Sequence, residues 1–535
     1  IILGGNKMKN YFKNFEKILI GTVGIIAFTG GLYAENIAKP NPYLSAPIYG
    51  ITHFDSAQSD SYPYPVAKGV YNFNLNNYPQ VTGGPVNIMT FASTSSDYMW
   101  GISNQGVTYI DVSNEGFKKV TDYNFPGVRV ITKEMHDQVL RKNYKNVDEF
   151  AEQIKNIYQF DWETRIHAGN YAVVDNNNNV YVNQGNNVYK YALKDSKDPS
   201  KGIIEAGKID TTKFLATKEN ITGLSMTYDG KLVIVGNRSL SVIDTDFNLS
   251  KIQTIHFDND EYVSNGISID EKNGIYVASD KYMRKIIWTG TKLSTDEKDG
   301  AWSTLYEIGQ QPPTIKVGKG TGSTPTLMGF GNDEDKLVVI TDGANRMNIV
   351  AFWRDEIPDG FKQKPGTKSN RIADQLPITA GLPKTQKWVQ SEQSVVVKNY
   401  GAFVVNNIVE NVPKGDFLAV TFGIGPIVDS PMGVERVEWD TKANKWKSVW
   451  TRKDVSSISM IPAVSTTSNI VLVNGYYKQS GWEITGMDWN TGKTVHQSKF
   501  GFDNFGNGQY ATIQFFPNGD MLFNSISGPF RLNYK

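Results

Sequence analysis

Short apolar runs alternate with polar turns along this chain, and the alternation repeats. "NYAVVDNNNNVYVNQGNNVYKYAL" starts at Asn170, "GLSMTYDGKLVIVGNRSLSVIDTD" at Gly223, "GISIDEKNGIYVASDKYMRKIIW" at Gly266, and "YATIQFFPNGDMLFNSISGPFRLNY" at Tyr510. Each reads as strand, polar turn, strand, short turn, strand. The turns fall at Asp175 to Asn179, Asp229-Gly230, Asn273-Gly274 and Asn518-Gly519. Asn-Gly and Asp-Gly take the positive φ angles that tight hairpins need. In "KLVIVGN" and "GIYVAS" the apolar run is nearly continuous, as in strands covered on both faces.

Such a unit cannot bury both faces alone and must stack on copies of itself. Antiparallel meanders repeating every ~40 residues define the blades of an all-β single β-propeller. The pattern predicts eight blades, with seven as the alternative because the sixth is irregular. They run from about Gly84 to Phe125, His167 to Asp210, Ile221 to Phe257, Tyr262 to Ile308, from near Ser323, Gln393 to Thr451, Ser456 to Phe500, and Tyr510 to Lys535. The last supplies only three strands. An N-terminal arm, residues 35–83, precedes the propeller at 84–535, and its "GVYNFNL" (Gly69 to Leu75) is a candidate strand to complete the last blade.

Two insertions interrupt the repeat. "NVDEFAEQIKNIY" places Val147, Phe150, Ala151, Ile154 and Tyr158 at helical spacing, with Asn146 and Glu149 set as a capping box. It predicts one short helix on the rim. The second, about Asp355 to Glu392, is rich in Pro, Gly and Lys without a sustained period, and reads as a lid loop or as blade edging.

Composition narrows the classes of function. Lys plus Arg number 55 and Asp plus Glu 54, so the chain lacks the basic surface of a nucleic-acid binder. Cysteine is absent, which removes disulfides, thiolate metal sites and cysteine nucleophiles. From Met8, the lysines Lys9, Lys13 and Lys17 precede the apolar "ILIGTVGIIAFTGGLYA", which ends at Ala34. A basic start, an apolar middle and a small terminal residue read as a secretory signal peptide, so residues 1–34 comprise upstream residues plus that signal. Cleavage near Ala34 would deliver a chain without a membrane span to the periplasm or the exterior, expected as a monomer.

Candidate chemistry is sparse. "VGKGTGSTPTLMGF" (Val317 to Phe330) is not a P-loop, because Gly320 rather than Ser or Thr follows Lys319. It reads as a connection between blades. None of the five histidines forms a metal-spaced pair. His53 lies two residues from Asp55, which could orient its imidazole as in acid–base pairs. His167 opens the inner strand of the second blade and would face the channel as an acid–base group. The acidic runs "DNDE" (Asp258 to Glu261) and "NDED" (Asn332 to Asp335) lack EF-hand spacing and read as solvated turns.

"SNGISIDEKNGIYVASDKYMRKIIW" resembles the paired-strand motif of the gluconolactonase-like and strictosidine-synthase-like propellers. In metal-dependent members the motif's Asn ligates a calcium-type ion in the channel. The resemblance implies Asn265 as a metal ligand, and Glu392 is the candidate acidic partner near the sixth inner strand. Where a ligand Asp would follow, this chain has Thr324 and Thr326, and those families usually have six blades. "ITGMDWNTGKTVHQ" (Ile484 to Gln497) resembles the repeat of quinoprotein alcohol dehydrogenase-like propellers, with His496 where Trp is usual.

These readings lead to an exported propeller with a small-molecule or glycan site at the channel mouth. The first expectation is a metal-assisted hydrolase, lactonase- or esterase-like, using a divalent cation such as calcium. A non-catalytic binding or envelope-interaction propeller is the alternative, and a quinone-dependent dehydrogenase the third.

Overall fold

The computed structural model describes residues 37–45, 52–81, 83, 91–159, 165, 168–169, 171–312 and 316–535. The signal segment and His167 lie outside the described residues.

The chain is a β-propeller. Seven sheets have at least four strands and an eighth has three. The first contains Phe91–Ala92, Tyr98–Ile102, Gly106–Asp111 and Lys118–Asn124; the second Val173–Val174, Val180–Gln184, Asn187–Leu193 and Ile203–Asp210. The third runs Ile221–Met226 to Gln253–His256, the fourth Ser268–Ile269 to Trp302–Leu305, and the fifth Thr326–Met328 to Ile372–Pro377. The sixth runs Val396–Lys398 to Lys445–Ser456, the seventh Ala463–Ser465 to Thr494–Gly501, and the eighth Ile513–Phe515 to Gly528–Leu532. The insertion Asp355 to Glu392 therefore contains the outer strand of blade 5, paired through Val350↔Gln375.

Burial follows position within a blade. The middle strands Leu232–Gly236, Gly274–Ala278 and Leu337–Thr341 are buried at every residue. Outer strands such as Lys118–Asn124 are largely open to solvent. Hydrophobic clusters glue each blade to the next, as Trp100 and Tyr189 join blades 1 and 2, and Ile234 and Tyr181 join 3 and 2. Val277 and Val235 link blades 4 and 3, and Met99 and Phe516 link 1 and 8. The stacking closes on itself, which is how sheets that are too thin alone acquire a shared core.

The inner turns share a lock. Asp175 Oδ1 accepts the backbone N–H of Asn177 and Asn179 at 2.9 and 2.8 Å, and its other oxygen accepts the Tyr181 hydroxyl at 3.0 Å. Asp270 repeats this with Lys272, Gly274 and Tyr276 at 2.9, 2.9 and 2.7 Å. Asn273 takes φ 63° in that turn, where Asn tolerates the left-handed region.

The N-terminal arm runs along the inner strands of successive blades. Inner strands of blades 4, 5, 6 and 7 donate in turn to its carbonyls: Ile269 N–H to Ser56 at 2.8 Å, Leu327 to Ala57 at 3.0 Å, Val397 to Ser59 at 3.0 Å, and Val464 to Asp60 at 2.9 Å. Ser61–Tyr62 then pairs in parallel with Val464 and Ser465. The chain rounds blade 7, and Gly69–Asn72 pairs in parallel with His496 to Lys499 at that blade's outer edge. This differs from the expectation that Gly69 to Leu75 completes the last blade. The outer edge of blade 7 takes the strand instead.

Three α-helices occur among the described residues, two more than the single insertion predicted: α1 (Lys133–Leu140), α2 (Val147–Tyr158) and α3 (Phe417–Gly423). Asn146 caps α2 by accepting the Glu149 N–H at 2.9 Å, while Glu149 reaches back to the Lys145 N–H at 3.0 Å. Val147, Phe150 and Ile154 of α2 share a core with Leu418, Ala419 and Phe422 of α3 and with blades 7 and 8. α3 lies in a different inter-strand connection from α1 and α2, so no single sequence window displayed the α2–α3 pair. The acidic runs also depart from solvated turns. Buried Glu261 holds Arg284 through two bonds of 2.5 and 2.6 Å, and buried Asp335 accepts Trp439 Nε1 at 2.7 Å.

Candidate functional site at the channel mouth

Polar residues that precede the first strands of blades 2, 4, 5, 6 and 7 form one connected set. The Tyr171 hydroxyl donates to Asn265 Oδ1 at 3.0 Å and receives Thr324 Oγ1 at 3.3 Å. Asn265 Nδ2 donates to the Gly322 carbonyl. Gly322 in turn packs against Glu392: a Cβ there would stand 2.5 Å from the Glu392 Cα. Asn265 and Glu392, predicted from separate parts of the chain, thus flank one glycine.

Glu392 is the carboxyl of this mouth. Its Oε1 accepts Ser459 Oγ, and Asn407 Nδ2 approaches the same oxygen at 3.5 Å. Neighbouring Gln393 donates to the Ser459 carbonyl at 2.7 Å, which also receives the Tyr510 N–H at 3.1 Å. Desolvation pushes the Glu392 pKa up to about 7, against the Ser459 bond and the Lys316 ammonium. Lys316 is itself buried. It donates to Gln390 Oε1 at 3.0 Å, and burial lowers its pKa to about 8.

On the arm, His53 is buried beside Tyr171, with ring centroids 5.7 Å apart and planes at 24°. Its Nδ1 faces both Asp60 oxygens at 3.0 and 2.8 Å, and its Nε2 is buried without a partner. Asp55 does not orient this imidazole, which corrects the sequence expectation. Asp55 instead accepts the Ser59 N–H at 3.1 Å and Ser59 Oγ at 2.8 Å, and burial raises its pKa to about 6. The reason is backbone shape. His53, Phe54, Gln58 and Asp60 all take positive φ, between 54° and 74°, so the loop doubles back and residue 60 meets residue 53. Four non-glycine residues held this way make a constrained loop.

The predicted metal-ligand pair does not fit a bound divalent cation. Calcium takes 6–8 oxygens, several of them from carboxylates. Asn265 has its amide oxygen and nitrogen both engaged, and Glu392 is already bonded to Ser459 and faces the Lys316 ammonium. Among the described residues, no three His, Cys, Asp or Glu side chains gather as ligands. His496 lies far from any ligand role. Its Nδ1 donates to the Ala67 carbonyl at 2.7 Å, and its Nε2 accepts from Ser498 Oγ at 2.8 Å.

Sequence reading missed Asp60, Tyr171, Asn407, Ser459 and Lys316. One signal was legible: "NN" at Asn406-Asn407 directly follows the fully buried strand Gly401–Val405.

The fold is that of a β-propeller. A solved europium-containing methanol dehydrogenase is similar over 89% of both chains, at 10% identity and TM-score 0.50. The periplasmic gluconolactonase of Pseudomonas aeruginosa matches 62% of this chain and 85% of its own, at 12% identity and TM-score 0.37. Likeness at this level concerns the fold. No family model matches the chain. The chain belongs to the family of an uncharacterized protein of Archaeoglobus fulgidus, with which it is 32% identical over 377 residues, 68% of this chain and 70% of that one.

Proposed function

We propose that this protein is an exported hydrolase of small carbonyl compounds, lactones or esters, working at the channel mouth by acid–base catalysis. The observation that carries the reading is that two groups with matched roles border Tyr171, one stacked on its ring and the other within electrostatic reach of it. One is the His53–Asp60 pair, with its imidazole held by a carboxylate and Nε2 buried without a partner. The other is Glu392, poised with a pKa of about 7. A general acid works best with a pKa near the working pH, and a base needs a partner that fixes its orientation.

In the proposed reaction, water adds to the substrate carbonyl while His53 Nε2 takes a proton from it. The carbon–oxygen bond to the leaving alkoxide breaks as Glu392 delivers its proton to that oxygen. The product carboxylic acid loses its proton to solvent, and the two side chains return to their starting states by exchange with water. The signal-like segment ending at Ala34 supports export, and no helix among the described residues is long and apolar enough to cross a membrane.

The test is hydrolysis of a panel of lactones and aryl esters, with and without EDTA. Glu392→Gln and His53→Gln should each lower kcat/KM by about 10²-fold or more. Full activity in either variant would overturn the reading. A second reading, a binding propeller without turnover, is favoured by the engagement of Glu392 with Ser459. It predicts substrate binding that survives Glu392→Gln, with no hydrolysis in either form.

A further inference from the structure

Several buried polar groups near the axis have no partner among the described residues. Gln509 is fully buried with both amide ends unpaired. Asn507, whose Oδ1 takes the Gln509 N–H at 2.9 Å, leaves Nδ2 unpaired. Gln393 spends its nitrogen on Ser459 but leaves Oε1 unpaired. Deeper on the inner strand of blade 8, Gln514 is 1% exposed. It faces the Tyr62 hydroxyl without meeting it in hydrogen-bond geometry, and both its amide ends are unpaired.

A buried amide without a partner is costly, and nearly all such groups in folded proteins are satisfied. Asn507 and Gln509 share one turn next to Gln393, and Gln514 follows on the inner strand of blade 8. Gln393 and Tyr510 share the Ser459 carbonyl, Gln509 precedes Tyr510, and Gln514 sits four residues on, toward the arm. All four carry amides, which both donate and accept, and none carries charge. Such a lining matches hydroxyl groups, which also donate and accept. A carboxylate or phosphate would need cations in this wall, and none of the four supplies one.

From this lining we infer that the blade 6–8 side of the channel mouth binds an uncharged, multiply hydroxylated molecule through Gln393, Asn507, Gln509 and Gln514. The inference rests on the mouth being the functional site and names the substrate class for it. The hydroxylated part of the substrate lies against the amides, while its carbonyl reaches Glu392 next to Gln393.

The test reads binding rather than turnover. Inositol, sorbitol and glucose, with gluconate and glucuronate as charged counterparts, are titrated by thermal shift and calorimetry. Neutral polyols should raise the melting temperature, and the sugar acids should not. Gln509→Leu and Gln514→Leu should each raise the melting temperature of the free protein, because an unpaired buried amide is removed, and should abolish the polyol shift. Gln509→Met repeats the test where leucine fails to pack. Any of three outcomes overturns the inference: no shift with any neutral polyol, in which case the amides hold water only; preference for the sugar acids; or Leu variants that keep the full polyol shift. Polyol binding without lactone or ester hydrolysis would sink the proposed reaction and leave this inference standing. Hydrolysis without polyol binding would do the reverse.

Discussion

At the residue scale, single contacts decide protonation. His496 is buried, and burial lowers its pKa to about 4. Its unfolded value is near 6.5, so the folded state binds fewer protons between these limits. The stability His496 contributes is whole above about pH 6.5 and is lost as pH falls toward about 4. Denaturation in urea at pH 8 and pH 5 should show this loss, and His496→Gln should shrink the difference. At the mouth, the proposed acid must carry its proton, so kcat/KM should fall as pH rises through about 7. Lys316→Met removes a positive charge that favours the carboxylate and should move that limb to higher pH. Gly322→Ala forces a methyl against the Glu392 backbone, at 2.5 Å from its Cα, and should lower activity and stability together. This residue-level chemistry was the least legible in the sequence. His53 and Asp55 are neighbours in the chain, but the loop's left-handed backbone pairs His53 with Asp60, and nothing in "THFDSAQSD" announces that turn.

At the element scale, strand and turn chemistry were readable because period-2 alternation and Asn-Gly or Asp-Gly turns act locally. The capped start of α2 was readable for the same reason. Asn146→Ala should cost about 1 kcal/mol by removing the acceptor of the Glu149 N–H, measurable by urea denaturation. α1 and α3 escaped notice because their apolar residues are set by packing on α2 and on blades 7 and 8. His136 of α1, for example, meets the Tyr158 hydroxyl of α2 at 2.9 Å. The strand Gly69–Asn72 was recognisable as a strand, but its partner was not. Parallel pairing with a segment more than 400 residues away leaves no local trace.

At the scale of the whole molecule, the ring is joined where the chain's end meets its first complete sheet. Arg531 stacks on Phe516 at 4.0 Å, pairs with Asp520 at 2.8 Å, and donates to the Val112 and Gly116 carbonyls of blade 1 at 2.9 Å each. Arg531 and Asp520 are both buried. Arg531→Ala strands a buried carboxylate and should cost about 3–5 kcal/mol. Hydrogen exchange should then show blades 8 and 1 opening before the others. The repeat made this ring legible from sequence, since each thin sheet needs two neighbours.

The arm bound along the inner strands has a consequence for how the protein is made. Residues 56 to 60 hydrogen-bond to strands that are synthesised roughly 200 to 400 residues later. A polypeptide emerging from the ribosome therefore presents this stretch long before its docking partners exist. This early stretch is among the last to be fixed, and a nascent chain stalled before blade 7 would carry it loose and unclasped.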